Sequence, residues 1–354
     1  MKTRNLIIVG LLILVLATFL LRGKIALFFA SERYTINQEK IEFYIDQPIR
    51  LESLADSLFD KGCLKRKKDL ILVGEYKGLN EDNIALGKYE IVPGTNLKTL
   101  LNGFTTNSKG NGNLELEVDV TFNNCLDVYA VAGKVSKTSM LDSTALINYL
   151  LSAQTLKKYG FTEETIGALF LPNTYKMFWD VTPEMFVDRM AKEFKRFWNP
   201  HRQARIKQIG LDSQSEVVTI ASIVYAEQNK VSEEWGRIAG LYLNRVRTGM
   251  FLQSDPTLKF CKPPGQRNQR RLYNKDKKVD CPYNTYMYPG LPPGPILIPP
   301  SQVEEAVLNA EQHNYIFMCA KPGYTGLHNF SKTYSQHLGY ARRYQSWLNQ
   351  QGIR

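Results

Sequence analysis

One segment, Val217–Glu227, limits the possible folds of this chain more than any other. Its residues are almost all apolar or small up to Glu227, and the preceding Ser213-Gln214-Ser215-Glu216 has the pattern of a helix-capping box. A helix that is apolar on every side must be buried. The segment therefore predicts a core helix surrounded by other elements, with Glu227 near its inner end.

The carboxyl group of Glu227 has two interpretations. It lies on the helical stripe shared with Ile220, Ile223 and Val224, where burial would raise its pKa and keep part of it protonated near neutral pH. A general acid needs that property. Alternatively, the side chain emerges into solvent or pairs with an arginine. Periodicity alone slightly favours this second interpretation.

The N-terminal region is the most apolar part of the chain. Leu6–Leu21 is uncharged and rich in Leu, Ile and Val. As a helix it would span about 24 Å, and snorkelling of Arg22 and Lys24 could extend it toward the ~30 Å of a bilayer core. Because no A-x-A cleavage site follows, we expect a retained single-pass transmembrane anchor over residues 1–30 rather than a cleaved signal peptide. Positive charges flank both ends, so charge alone leaves the orientation open.

The rest of the chain alternates strand and helix patterns. Ile41–Ile45 and Lys88–Val92 read as strands, and apolar residues at helical spacing fill Leu51–Leu58. We therefore predict an α+β protein with a small α+β module over residues 33–105. After a linker, residues 114–354 are predicted to form one larger, helix-rich α+β domain.

Two site chemistries are disfavoured by residue usage. The five cysteines form no C-x-x-C pair and the four histidines form no H-E-x-x-H motif, so we expect neither a metal nor a cofactor. The formal net charge of +11 instead suggests an anionic partner or surface.

Several motifs with polar or aromatic residues follow the apolar helix. Ser254-Asp255-Pro256-Thr257 has the composition of a turn. Tyr283-Asn284-Thr285-Tyr286 leads into a proline-walled loop, and aromatic rings beside amides suit a sugar. A structural role remains the alternative for both. The motifs, in chain order, are Leu169-Phe170-Leu171-Pro172-Asn173-Thr174-Tyr175, Ala221-Ser222-Ile223-Val224-Tyr225-Ala226-Glu227, Leu243-Asn244-Arg245, Leu252-Gln253-Ser254-Asp255-Pro256-Thr257, Tyr283-Asn284-Thr285-Tyr286, Gly290-Leu291-Pro292-Pro293-Gly294-Pro295-Ile296 and His328-Asn329-Phe330-Ser331.

This ordered set resembles the signatures of the YceG-like (MltG) endolytic murein transglycosylases over roughly residues 33–345. The sequence departs from the family pattern at Asn173, where Asp is usual, and at Tyr225, where many members carry another acidic residue. The resemblance implies a membrane anchor, a LysM-like module over residues 33–105 and a catalytic domain over 114–354. It also implies that Glu227 is the catalytic glutamate, which reverses the preference given by periodicity.

The implied activity is lytic cleavage of the bond between N-acetylmuramic acid and N-acetylglucosamine in nascent peptidoglycan strands. The muramic acid 6-hydroxyl attacks its own C1 without water and leaves a 1,6-anhydro end, so Glu227 can serve as acid and then base. Four residues are expected to position substrate or to fix loops: Gln253, Asp255, Asn284 and Tyr286. No cofactor or metal is implied.

The implied location is the cytoplasmic membrane, with a single-pass anchor and the catalytic domain on the extracytoplasmic side. The implied partners are glycan strands, the membrane and peptidoglycan synthases, and nucleic acid is not expected. Two other functions stay open: a hydrolytic muramidase that uses Glu227 and Asp255 as paired carboxylates, and a non-catalytic peptidoglycan-binding scaffold of the envelope.

A basic loop is longer than the family's usual connection. Lys259–Lys278 carries eight Lys and Arg residues against a single acidic residue, Asp276. Cys261 and Cys281 bracket this loop. A disulfide between them is possible outside the cytoplasm, but the sequence leaves their separation open. We expect anionic lipid headgroups or wall polymer to be the partner of this loop.

Overall fold

A computed structural model describes residues 21–105, 114–263, 266–267, 272–323 and 325–352. The predicted apolar anchor segment Leu6–Leu21 lies outside these residues except for Leu21, and so does the predicted linker. Residues 21–31 are helical. Within the described ranges, no helix combines the length and the apolar character needed to cross a membrane.

The chain divides into two compact units that are interleaved in sequence. The first comprises the chain up to Asp119 with Thr138–Met140 and Lys176–Val181. The second comprises Val120–Lys137, Leu141–Tyr175 and Thr182–Arg354. Because of this interleaving, the boundaries 33–105 and 114–354 stay a prediction.

Among its described residues, the first unit contains the helical residues 21–31, followed by two antiparallel strands and three helices with their own core. Strand β1 pairs with β2, with Ile41 opposite Ile91 and Ile45 opposite Gly87. Both predicted strands are confirmed to within a residue, and Asn96 caps the last helix through the N–H of Thr99. The elements are β1 (Ile41–Ile45), α1 (Leu51–Asp60), α2 (Lys67–Tyr76), β2 (Gly87–Ile91) and α3 (Leu97–Gly103). Their fully buried side chains include Leu54, Leu58, Leu70, Ile91, Leu100 and Phe104.

Most helices belong to the second unit, which confirms a mixed α+β chain with a helix-rich C-terminal part. Strands β5 and β6 pair with each other. Strands β3 and β4 also pair, and the unit boundary falls within each of them, after Asp119 and after Tyr175. The elements are β3 (Glu117–Phe122), α4 (Val128–Val135), α5 (Ser143–Leu150), α6 (Ala153–Tyr159), β4 (Asn173–Phe178), α7 (Pro183–Phe197), α8 (Pro200–Gln208), α9 (Gln214–Glu227), α10 (Trp235–Arg247), α11 (Asp255–Phe260), α12 (Ser301–Leu308), β5 (Phe317–Ala320), β6 (His328–Ser331) and α13 (Tyr334–Gln350).

Helix α9 is the central helix of the second unit, as its sequence predicts. Every residue from Val217 to Val224 is buried. The Ser213 hydroxyl accepts the N–H of Glu216, and the Glu216 carboxylate accepts the N–H of Asp212. The first bond satisfies an N–H that the first helical turn leaves without a partner, and the second ties the residue before the N-cap to the helix. The core around α9 includes α10 and α12, so the end of α9 is held firmly.

The C-terminal hairpin and helix form a layer of their own within the second unit. Strands β5 and β6 are antiparallel, with Phe317 opposite Ser331 and Ala320 opposite His328. Helix α13 packs on both strands. None of its residues is fully buried, so α13 lies at the surface with one face against the hairpin.

Candidate active site

Glu227 is the last residue of α9, and two hydroxyl groups bind its carboxyl. Its Oε1 accepts a hydrogen bond of 2.6 Å from Ser254 and one of 3.0 Å from Tyr242. Tyr242 lies on α10 and Ser254 directly precedes α11. Three segments far apart in sequence therefore meet at this carboxyl. The alternative expectation of an arginine partner is not what the structure shows, because the partners of Glu227 are hydroxyl groups.

The surroundings of Glu227 favour its protonated form. Burial raises its pKa above the ordinary value of a glutamate, the hydrogen bonds from Ser254 and Tyr242 oppose this rise, and the charge of Asp255 adds to it. The net direction is upward. A carboxyl that holds its proton can act as an acid, and two hydroxyl donors then stabilise the carboxylate that remains.

The position of Ser254 depends on hydrogen bonds to Thr285. The N–H of Ser254 donates to the Thr285 hydroxyl over 3.0 Å, and the N–H of Gln253 donates to the Thr285 carbonyl over 3.1 Å. The hydroxyl groups of Thr257 and Thr285 are 2.8 Å apart. Gln253 is exposed and has a φ of 48°, in the left-handed region that is uncommon for residues other than glycine. The predicted Ser254–Thr257 turn is in fact the start of α11, and it is tied to the 283–286 loop.

Of the two roles expected for Asn284, the structure supports loop fixing. Its side chain is fully buried. The amide donates to the carbonyls of Lys277 and Val279, and its oxygen accepts the N–H of Tyr286. These bonds occupy the polar groups of the side chain within the loop itself. Asn284 therefore acts on the site through the loop that carries Thr285.

The exposed Asp255 pairs with the half-buried Tyr286 next to this loop. The Tyr286 hydroxyl donates to the Asp255 carboxylate over 2.7 Å. Burial and the hydrogen bond to Asp255 raise the pKa of Tyr286, so its hydroxyl keeps its proton. Asp255 affects Glu227 through its charge. Whether either residue contacts substrate stays a prediction.

A disulfide joins Cys261 to Cys281, with their Cα atoms 6.0 Å apart. Cys261 follows directly after α11, and the carbonyl of Cys281 accepts the N–H of Asn284. The bond thus connects the segment that begins with Ser254 to the turn that holds Thr285. Within the basic loop, Lys262 pairs with Asp276 over 3.1 Å. The sequence left the pairing of Cys261 with Cys281 open, and the structure contains this disulfide.

Glu227 also lines a cleft of about 520 Å³. The opposite side of the cleft comes from the β5–β6 hairpin and α13, including His328 and Lys321. Two half-buried aromatic residues of α13, Tyr344 and Trp347, lie in this wall. The sequence interpretation placed sugar-binding aromatics in the 283–286 loop and missed this pair. Two aromatic residues three positions apart on one helix were the available signal.

A buried carboxylate holds the histidine of the last motif beside the cleft. Glu234 is 4% exposed. Its carboxylate accepts one hydrogen bond of 2.9 Å from the backbone N–H of His328 and one of 2.8 Å from the ring Nδ1 of His328. Gln228 donates to Glu234 over 3.0 Å and to the Gly326 carbonyl over 2.6 Å. These bonds connect the end of α9 to β6. Across the described ranges, no three His, Cys, Asp or Glu side chains come together as a metal site.

The motif residues Asn244 and Arg245 stabilise the surroundings of the site. Asn244 donates to the carbonyls of His313 and Tyr315 over 2.7 and 3.0 Å. The largely buried Arg245 donates to the carbonyls of Ile316 and Leu252. Their role is to attach the segments before β5 and α11 to α10.

Comparisons with known proteins identify relatives in two bacteria. An endolytic murein transglycosylase of Bacillus subtilis (strain 168) is 26% identical over 313 residues, which cover 85% of this chain and 83% of the relative. One of Streptococcus pneumoniae serotype 2 (strain D39 / NCTC 7466) is 30% identical over 205 residues, 56% of this chain but only 36% of the relative.

A solved structure shares the fold. The 2.6 Å crystal structure of the yceG-like protein lmo1499 from Listeria monocytogenes has a TM-score of 0.54 and 23% identity, and the match covers 86% of this chain and 99% of that one. The model of the YceG-like family matches residues 43–343, most of the chain. The chain therefore belongs to the YceG-like family.

Proposed function

We propose that this protein is a peptidoglycan lytic transglycosylase in which Glu227 is both the catalytic acid and the catalytic base. The observation that carries the proposal is the single carboxyl group at the end of α9, with a raised pKa and two hydroxyl donors, in the wall of a cleft. The names of the two bacterial relatives, endolytic murein transglycosylase, support the same substrate and reaction.

In the first step, protonated Glu227 donates its proton to the glycosidic oxygen. The bond from this oxygen to C1 of N-acetylmuramic acid breaks, and the oxygen leaves as a hydroxyl of N-acetylglucosamine. Glu227 becomes a carboxylate, which Ser254 and Tyr242 stabilise through their hydrogen bonds to Oε1. General acid catalysis of this kind contributes roughly 10²–10⁴-fold to a rate.

In the second step, the same carboxylate takes the proton of the 6-hydroxyl. The oxygen of that hydroxyl forms a bond to C1 and closes the 1,6-anhydro ring, so no water is consumed. Glu227 returns to its protonated state. A single carboxyl group therefore completes the cycle, whereas hydrolytic glycosidases use two carboxyl groups.

The substitution Glu227→Gln tests the assignment, because it keeps the size of the side chain and removes the transferable proton. We expect a folded protein with cleavage reduced by about 10³-fold or more. The matched control is Glu216→Gln at the other end of α9, which should remain active. Mass spectrometry of digested peptidoglycan gives the readout. Continued release of 1,6-anhydro products by the Glu227→Gln variant would refute the proposal.

One observation keeps the hydrolytic muramidase as the second candidate, namely the influence of the Asp255 charge on Glu227. A muramidase adds water and leaves reducing ends, whereas the lytic reaction leaves ends lighter by one water. Product masses from the wild-type protein separate the two. A non-catalytic scaffold would bind peptidoglycan and give no product.

We also propose a single-pass anchor in the cytoplasmic membrane, with both units on the extracytoplasmic side. The apolar segment Leu6–Leu21 and the Cys261–Cys281 disulfide support this, since disulfides persist in oxidising compartments. Protease applied to intact cells tests it, because both units should be accessible from outside. Protection of both units in intact cells would contradict it.

The proposed function also implies two partners, the peptidoglycan synthases and the glycan strand. We propose that the protein ends the elongation of nascent strands beside peptidoglycan synthases, and that the first unit is a LysM-like module that positions glycan. The independent core of that unit supports a separable module. Crosslinking in living cells should capture a synthase, and strands should lengthen when the protein is depleted.

A further inference from the structure

We propose that Tyr344 and Trp347 of α13 form a sugar-binding platform in the Glu227 cleft. The inference rests on the proposed function, since the sugar would be a ring of the same glycan strand. Both residues lie beyond residue 343, where the match to the family ends. The platform therefore lies outside the matched range.

The two rings are neighbours on one face of α13. They are three positions apart on α13 and so lie on the same helix face. Their centroids are 5.8 Å apart and their planes differ by 30°, a stacked arrangement. Both side chains are half-buried and both line the cleft that contains Glu227. An aromatic pair at this place is accessible to a ligand in the cleft.

The rest of the cleft indicates an amphipathic ligand. Asn229, Lys230 and Lys321 also line the cleft. Amide and ammonium groups bind hydroxyl and acetamido groups, while the aromatic faces suit the C–H face of a pyranose ring. The cleft volume of about 520 Å³ also lies in the ordinary range of small-ligand sites, roughly 300–1,000 Å³.

The helix that carries the platform is fixed at its other end. The Phe317 ring of β5 lies 5.8 Å from the Tyr334 ring and 5.4 Å from the His337 ring of α13, measured between centroids. These contacts attach the start of α13 to the hairpin that contributes Lys321 and His328 to the cleft. The platform is thus held on a packed helix, and a sugar bound to it would lie in the cleft that Glu227 lines.

The direct test is a binding measurement in the inactive Glu227→Gln background of the full chain, with soluble peptide-free glycan strands as the probe. We expect Trp347→Ala to weaken binding by roughly ten-fold, which corresponds to about 1.4 kcal/mol. Trp347→Phe should retain most of the affinity because it keeps a flat ring. The matched control is Gln345→Ala on the same helix, because Gln345 is exposed and its side chain bonds only Asn349 of α13 among the described contacts. This control should bind like the parent protein.

Calorimetric titration provides the affinities, and thermal melting checks that each variant is folded. If Trp347→Ala is unfolded, Tyr344→Ala and Trp347→Phe carry the test. Unchanged affinity in the folded variants would overturn the platform and leave the catalytic proposal intact. Conversely, Trp347-dependent binding by a wild-type protein without lytic activity would support the platform and reject the proposed function. In an active protein, Trp347→Ala should raise KM with a smaller effect on kcat.

Discussion

The hydroxyl group of Ser254 donates a hydrogen bond of 2.6 Å to Oε1 of Glu227, across 27 positions of sequence. Ser254 is itself placed by Thr285, which binds its N–H, and the Asn284–Thr285 turn follows the disulfide-bonded Cys281. A chain of short-range contacts therefore leads from the disulfide to the carboxyl group. Each contact in this chain can be removed by one substitution.

Ser254→Ala should reduce kcat/KM by roughly ten-fold and move the alkaline limb of the pH profile to higher pH. The bond from Ser254 lowers the pKa of Glu227, so its loss raises that pKa further and Glu227 stays protonated to higher pH. The rate falls because the carboxylate formed in the first step loses a donor. A pH profile of kcat/KM gives the measurement. The exposed Ser232→Ala is the control, and an alkaline limb that does not move in Ser254→Ala argues against the contact.

Asp255→Asn should move the alkaline limb in the opposite direction. The negative charge of Asp255 raises the pKa of Glu227, so its removal lowers that pKa and activity declines at lower pH. Asp280→Asn is a matched control, because Asp280 likewise accepts a hydrogen bond from a tyrosine, Tyr288. A lytic enzyme should retain substantial activity in Asp255→Asn. Complete loss, about 10³-fold, would instead indicate a second catalytic carboxylate.

Removing the disulfide should lower both stability and activity. Cys261→Ser/Cys281→Ser opens the loop, and we expect a loss of about 2–4 kcal/mol in the free energy of unfolding. Activity should fall because only hydrogen bonds then connect α11 to the turn that carries Thr285. A reductant should reproduce both effects in the wild-type protein. It should change nothing in the double variant, where the remaining cysteines, Cys63, Cys125 and Cys319, are free thiols. Equal stability of the two proteins would contradict the prediction.

Glu304→Gln should make the second unit more stable at alkaline pH. Glu304 is fully buried on α12, neither carboxyl oxygen has a hydrogen-bond partner among the described residues, and burial raises its pKa to about 8. Because the folded-state pKa lies above the unfolded one, the folded protein binds the proton more tightly. The stability contributed by the protonated Glu304 is therefore fully present below about pH 4.5. It is lost progressively as the pH rises to about 8. The variant should gain roughly 3–5 kcal/mol above pH 8.

Denaturant unfolding at several pH values measures this gain. The neighbouring Glu305 is the control, since it pairs with Arg202 over 2.6 Å and its pKa is lowered. Glu305→Gln should show no gain at alkaline pH. A wild-type stability that stays level between pH 5 and pH 8 would contradict the assignment.

Local sequence patterns predicted much of the secondary structure. The capping box and the apolar run fixed the start and the burial of α9, and β1 has the predicted bounds. These features depend on neighbouring residues, whose spacing is visible in the sequence. The interleaving of the two units, by contrast, depends on contacts between distant segments such as Thr138–Met140 and the first part of the chain. Periodicity carries no information about such contacts.

The candidate site was only partly predictable, because local patterns reveal single residues but not the contacts between distant segments. Glu227 could be assigned because it ends a recognisable helix within an ordered set of motifs. Its donor Tyr242 lies in an ordinary helical pattern, and Glu234 becomes important only because β6 brings His328 against it. Tyr344 and Trp347 reach the cleft only after α13 packs on the hairpin. Their roles depend on tertiary packing that the chemistry of the individual residues does not specify.

The position of Glu227 as the last residue of α9 has one more electrostatic consequence. The peptide dipoles of a helix add up to a partial negative charge at its C-terminal end, which disfavours an anion there by about 0.3–1 kcal/mol. The backbone of α9 thus makes the carboxylate form less favourable independently of Ser254, Tyr242 and Asp255. Substitutions at those three residues therefore tune a proton affinity that burial and the helix end both raise. A carboxyl group at the first turn of the same helix would experience the opposite effect of the dipole.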